Sequence, residues 1–141
     1  FSFLNKLLLI ITILLIYSCG PEKCINLVYK DGITTQNDIL YTGKCKTMFP
    51  DGSIRSLQEY HRGKDDGEWV YYFEDGQIQT KGTLDKGKRI GKWDYYYPNG
   101  NLKQISHYEN GKKHGSWIKY DQLGTIITKT VFENDSIIYS N

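Results

Sequence analysis

The chain has 141 residues, a formal charge of +2 and 14% aromatic residues, including twelve tyrosines. Its length suits one small domain, and its mean hydropathy of −0.53 makes the bulk of it water-compatible. Such a small charge leaves no electrostatic footprint for nucleic acid.

The first elements are addressing signals. Phe1 to Lys6 carries one positive charge, and Leu7 to Ile16 is apolar apart from Thr12. A short cationic start and a short apolar run, followed by a small residue, form a secretory signal peptide over residues 1–18. The run is shorter than the roughly 20 residues that cross a bilayer. Ile16-Tyr17-Ser18-Cys19 resembles the bacterial lipobox. The resemblance implies cleavage before Cys19, a diacylglyceryl thioether on its sulfur and a membrane partner reached through that anchor. Gly20 is not the Asp that retains lipoproteins at the inner membrane of some diderm bacteria, so the resemblance points to the outer membrane of the cell envelope. Loss of Lys6 with the leader lowers the charge to +1. Residues 19–28 then read as a lipidated tether. In an oxidising compartment Cys24 and Cys45 are either a disulfide or two free thiols.

From there the chain repeats itself. Gly52, Gly76, Gly100 and Gly124 are 24 residues apart, as are Gly63, Gly87 and Gly111, then Gly67, Gly91 and Gly115, then Trp69, Trp93 and Trp117. A shared period of this length marks a repeat architecture. An incomplete first unit (29–48) precedes three full ones (49–72, 73–96 and 97–120), and a truncated unit (121–141) caps the array. Each unit reads as a β-hairpin. Asp51-Gly52, Asp75-Gly76 and Asn99-Gly100 supply Asx-Gly turns. Ile54 and Tyr60, Ile78 and Leu84, and Leu102 and Tyr108 are six apart, hence on one strand face. A glycine-bracketed turn (GKDDG, GKRIG or GKKHG) leads to the second strand. Stacked edge to edge, the hairpins form an all-β, single-layer antiparallel meander. Trp69, Trp93 and Trp117 then form one cross-strand row, and Tyr72, Tyr96 and Tyr120 another.

The spacing Gly-x-[Ile/Leu], Tyr-x-x-Gly-Lys, Gly-x-Trp and Tyr-Tyr resembles the MORN repeat in its bacterial variant form. Leu40-Tyr41-Thr42-Gly43-Lys44 is similar to the opening repeat of the YwqK-type antitoxins. The resemblance implies an elongated hairpin array, with neutralisation of a partner toxin as an alternative function. Lys119 departs from the pattern, standing where a second Tyr is expected.

No catalytic constellation emerges. His61, His107 and His114 occupy unrelated registers without metal spacing, no Gly-x-Ser-x-Gly elbow occurs and no P-loop follows the bracketed glycines. Neither a cofactor nor a small-molecule substrate is expected. Two surfaces remain. Lys64, Lys88 and Lys112, with Arg62, Lys86, Arg89 and Lys113 nearby, should line one turn edge as a basic strip. The tyrosine row should stay partly open as a recognition face. The expected function is a membrane-anchored, non-catalytic module for protein binding or scaffolding.

Overall fold

The computed structural model describes residues 20–141; the leader and Cys19 lie outside them. Fifteen strands follow one another: β1 (Glu22–Lys23), β2 (Leu27–Lys30), β3 (Ile33–Gln36), β4 (Ile39–Leu40), β5 (Gly43–Met48), β6 (Ile54–His61), β7 (Lys64–Asp65), β8 (Gly67–Tyr72), β9 (Ile78–Asp85), β10 (Lys88–Tyr96), β11 (Leu102–Glu109), β12 (Lys112–Lys113), β13 (Gly115–Tyr120), β14 (Ile126–Glu133) and β15 (Ser136–Ser140). Twelve of them make one long sheet in which successive hairpins pair in chain order; β2, β3 and β4 form a separate small sheet. The fold is all-β and a hairpin meander, with β1 as one parallel edge strand beside β5.

Two different turns alternate along the edges, and their chemistry is the reverse of the expected one. The Asx-Gly ends are three-residue loops. In the first, the Gly52 N–H donates to the Phe49 carbonyl and the Phe49 N–H to the Ser53 carbonyl. Only the glycine has positive φ (+88° at Gly52, +85° at Gly76, +83° at Gly100). The Asx side chain instead accepts from the N–H two residues on, at 2.8 Å for Ser53 to Asp51 and 2.9 Å for Gln77 to Asp75. This is the Asx-turn habit of short polar side chains. The two-residue hairpin turns lie at the other end, where both central residues have positive φ: Arg62-Gly63 (+50°, +77°), Lys86-Gly87 (+49°, +84°) and Asn110-Gly111 (+51°, +84°). That pattern defines the I′ turn, whose twist matches the strands. The worn last unit keeps it with Asn134-Asp135 (+49°, +70°).

Each I′ turn is stitched to the hairpin before it. The N–H groups of Gly63, Gly87, Gly111 and Asp135 donate to the carbonyls of Tyr41, Asp65, Arg89 and Lys113 at 2.7, 2.7, 2.9 and 3.0 Å. Donor and acceptor are 22 residues apart every time, so the bond belongs to the repeat.

The second glycine of each bracket is not in the turn. Gly67, Gly91 and Gly115 sit where the second strand bulges, at φ +113°, +61° and +69°. In the middle unit β10 runs through this point with a register shift between Ile90 and Asp94. In the flanking units the strand is broken there into β7 and β8, and β12 and β13. A second bulge recurs at the other strand end: Tyr71 pairs Thr80 but Tyr72 pairs Ile78, so Gln79 is extra. One extra residue inverts the side-chain parity beyond it. Ile78 therefore joins the face of Tyr72, and Leu84 the face of Trp69. The six-residue pairs expected on one face are divided between two.

Residues 20–28, expected as a tether, are built into the fold. Glu22 and Lys23 pair with Cys45 and Lys46, and Cys24 is joined to Cys45 by a disulfide with its Cα atoms 5.0 Å apart. The small sheet docks on the first I′ turn, where the Thr34 N–H donates to the Gly63 carbonyl at 2.7 Å and Thr34 is buried.

Candidate functional site

Most buried apolar side chains, Cys45, Tyr60, Leu84 and Trp93, lie on one face of the sheet. Trp69, Trp93 and Trp117 lie on it, but they do not touch one another as a row. A strand intervenes each time, and its side chain interleaves. Tyr60 stands 5.7 Å from Trp69, Trp93 6.4 Å from Tyr108, Tyr108 5.1 Å from Trp117, and Trp117 5.3 Å from Phe132, all edge to face. Leu84 holds the corresponding register between Trp69 and Trp93. Each indole N–H donates to the carbonyl ten residues earlier: Trp69 to Glu59 at 3.2 Å, Trp93 to Thr83 at 3.3 Å and Trp117 to His107 at 2.9 Å. A polar group is thus satisfied inside an apolar stack, worth about 1 kcal/mol each. Small residues underlie the rings. A Cβ on Gly82 would collide with the Trp93 indole, and Ser56 and Ser106 are fully buried. This packing leaves Trp93 only 3% exposed.

Cations cover part of this face. The Arg89 guanidinium lies 4.6 Å from the Trp93 ring and donates to the Tyr108 hydroxyl at 3.0 Å. The Lys113 ammonium lies 4.8 Å from Trp117 and 5.0 Å from Phe132. Grouped by sequence with the turn edge, both instead fold over the rings, because they precede the bulge on the tryptophan side. Burial pushes the Tyr95 hydroxyl up to about 12, against the lowering pull of Arg89, and the Tyr60 hydroxyl likewise to about 12. Burial also raises the Asp65 carboxyl.

The opposite face carries the tyrosine row. Met48 pairs Ile54, Tyr72 pairs Ile78, Tyr96 pairs Leu102 and Tyr120 pairs Ile126. The bulge places all eight on one face at the same strand end. They form an apolar stripe across the whole array, alternating an aromatic or Met side chain with an aliphatic one. Tyr72, Tyr96 and Tyr120 are half-buried, while Ile54 and Ile126 are 37% and 56% exposed. The aliphatic half of the stripe was hidden from sequence reasoning, because parity counted through the bulge put those residues on the other face.

The basic strip is weaker than its sequence implies. Lys64, Lys88 and Lys112 are exposed, but they open the second strands rather than occupying turns. Their cross-strand partners are His61, Asp85 and Glu109, so two of the three lysines face a carboxylate. Elsewhere Lys92 pairs with Asp94 at 2.9 Å and Lys44 with Glu59 at 3.3 Å; the bond from Asp94 raises the Lys92 ammonium. His107 and His114 line a hollow of about 430 Å³. There the His107 Nδ1 is 2.7 Å from the Ser116 carbonyl and the His114 Nδ1 3.5 Å from a Glu109 carboxylate oxygen. Among the described residues no group of three His, Cys, Asp or Glu side chains could hold a metal ion.

Two successive segments, residues 65–86 and 89–110, match the family model described as a MORN repeat variant. Both fall within the period of 24 and span the middle of the array. No curated protein matches the chain. Among solved structures it is similar to a chain of "Crystal structure of GtfA/B complex bound to UDP and GlcNAc", at 12% identity and a TM-score of 0.43. That alignment covers 89% of this chain and 29% of the other.

Proposed function

We propose that this chain, which carries MORN-variant repeats, is a non-catalytic binding module, held at a cell-envelope membrane through Cys19, that recognises a protein through its tyrosine stripe. MORN repeats are in general protein- or membrane-binding modules. The observation that carries the proposal is the stripe itself. Eight apolar side chains run without a charged member from Met48 to Ile126, on the face that the tryptophan stack does not need. Extended apolar surface of this kind marks an interaction site, and half-exposed tyrosines offer large area at low entropic cost. The lysine strip is the poorer surface, since Asp85 and Glu109 face Lys88 and Lys112.

The test is a pull-down from detergent-solubilised membranes, followed by binding curves in low and high salt. Changing Tyr72, Tyr96 and Tyr120 together to Ser should abolish capture of the partner, with wild-type binding nearly insensitive to salt. Changing Lys64, Lys88 and Lys112 together to Gln should leave capture intact. Retained binding by a folded tyrosine variant contradicts the proposal. The anchor is tested separately: Cys19→Ala should release the protein from membranes and abolish labelling by a palmitate analogue.

A further inference from the structure

On the tryptophan face, the third full unit replaces the repeat's tyrosine with a lysine and holds a cationic hollow. At the register two residues after each tryptophan, the first two full units carry Tyr71 and Tyr95 and the third carries Lys119. At the register four residues before each tryptophan the series is Asp65, Arg89 and Lys113. Both series turn fully basic in the same unit, and the two lysines line one hollow of about 320 Å³ with Gln104, Trp117, Thr128 and Phe132. No acid lines it. The corresponding hollow at the other end of this face, beside Trp69, contains Asp65.

A tyrosine at this register contributes to the ring packing of the face: Tyr71 lies 6.1 Å from Trp69. Lys119 forgoes that contact. Its strand neighbours are Gln104 and Thr128, and among the described residues neither it nor Lys113 has an ion pair. The Lys113 ammonium is held over Trp117, two residues before Lys119 on the same face, a step of roughly 7 Å.

We propose that this hollow binds an acidic peptide segment in extended conformation. Carboxylates at positions i and i+2 of an extended chain share one side and stand the same roughly 7 Å apart. They would meet the ammonium over Trp117 and that of Lys119, while the Gln104 amide and the Thr128 hydroxyl serve the peptide backbone. The Lys113 ammonium already lies against the Trp117 and Phe132 rings, and a bond from it to a carboxylate is charge-assisted. The site is on the face opposite the tyrosine stripe and stands or falls independently of it.

The probe is a fluorescent ten-residue peptide alternating Glu and Ser, titrated with the full chain in detergent and compared with its Gln-Ser counterpart. The Glu peptide should bind at least about tenfold more tightly, the equivalent of one charge-assisted contact. Lys119→Tyr, which restores the repeat's own residue, and Lys113→Gln should each weaken it by about three- to tenfold. Lys119→Gln repeats the test should the tyrosine disturb packing. Lys112→Gln, next to Lys113 in sequence but on the opposite face, should leave binding unchanged. Equal binding of the Gln peptide, or equal losses in Lys112→Gln and Lys113→Gln, would overturn the proposal. So would preferential binding of vesicles containing anionic lipid in place of the peptide, with the same variants blocking it.

Discussion

Gly82 and Trp93 give the sharpest test of how the sheet is packed, because one exists to make room for the other. Truncating Trp93 to Ala removes a side chain that is 3% exposed, its N–H bond to the Thr83 carbonyl and the Arg89 contact. Such truncations cost about 3–5 kcal/mol. Adding a methyl at Gly82 drives a Cβ into the indole, and overpacking of that kind costs about 1–3 kcal/mol. Gly82 has no positive φ, so the strain is steric and not conformational. Once the indole is gone, Gly82→Ala should be neutral, or stabilising by about 0.5–1 kcal/mol through reduced backbone entropy. The double variant should therefore be more stable than the sum of the singles by about 1–3 kcal/mol, the range of a contacting pair. Urea unfolding of the four proteins, followed by circular dichroism, measures this cycle. Unchanged m-values are required, because repeat arrays can lose cooperativity. Additive effects within about 0.5 kcal/mol would refute the wedge of indole against glycine.

Reducing the Cys24–Cys45 bridge, or replacing both cysteines by Ser, should lower stability by about 3 kcal/mol for a loop of this size; urea midpoints with and without reductant check it. Lys86 occupies the first position of an I′ turn at φ +49°, so Lys86→Asn should stabilise by roughly 0.5–1 kcal/mol, read as a higher midpoint at unchanged m. Tyr60 and Tyr95 ionise only near 12, because burial disfavours their charged form. The unfolded chain loses those protons near pH 10, so stability should hold below pH 10 and fall between about 10 and 12. Tyrosinate absorbance and unfolding midpoints measured over that range should move together.

The period, the hairpins and the two turn edges were legible in the spacing of Gly, Trp and Asx, because local φ requirements and repetition are written residue by residue. Parity was not. A single extra residue, Gln79 opposite Tyr72, reverses every later side chain, and nothing in the composition of Ile78 to Asp85 marks it. Counted without that extra residue, Ile78 falls on the face of Leu84. The tryptophans share one face, but their neighbours are set by which strand lies between them. That placed Tyr108 and Phe132 in the stack and left Leu84 without a ring. The turn residues misled for a related reason: Asp51 and Asp75 act through their side chains, whereas positive φ falls on Arg62 and Lys86, residues rarely chosen for it. Beside β5, a parallel two-residue strand and a bridge from Cys24 close the edge, a pairing without local signature. Arg89 and Lys113 leave the strand on the tryptophan side, which only the bulge sets.

The proposed function puts the docking partner on the stripe from Met48 to Ile126. Photo-crosslinking tests it most directly, with benzoylphenylalanine placed singly at Tyr96, at Tyr120 and, as the control on the turn edge, at Lys88, each mixed with the purified partner. Docking on the stripe should give crosslinks from Tyr96 and Tyr120 and none from Lys88. Crosslinking from Lys88 with none from either tyrosine position would contradict it.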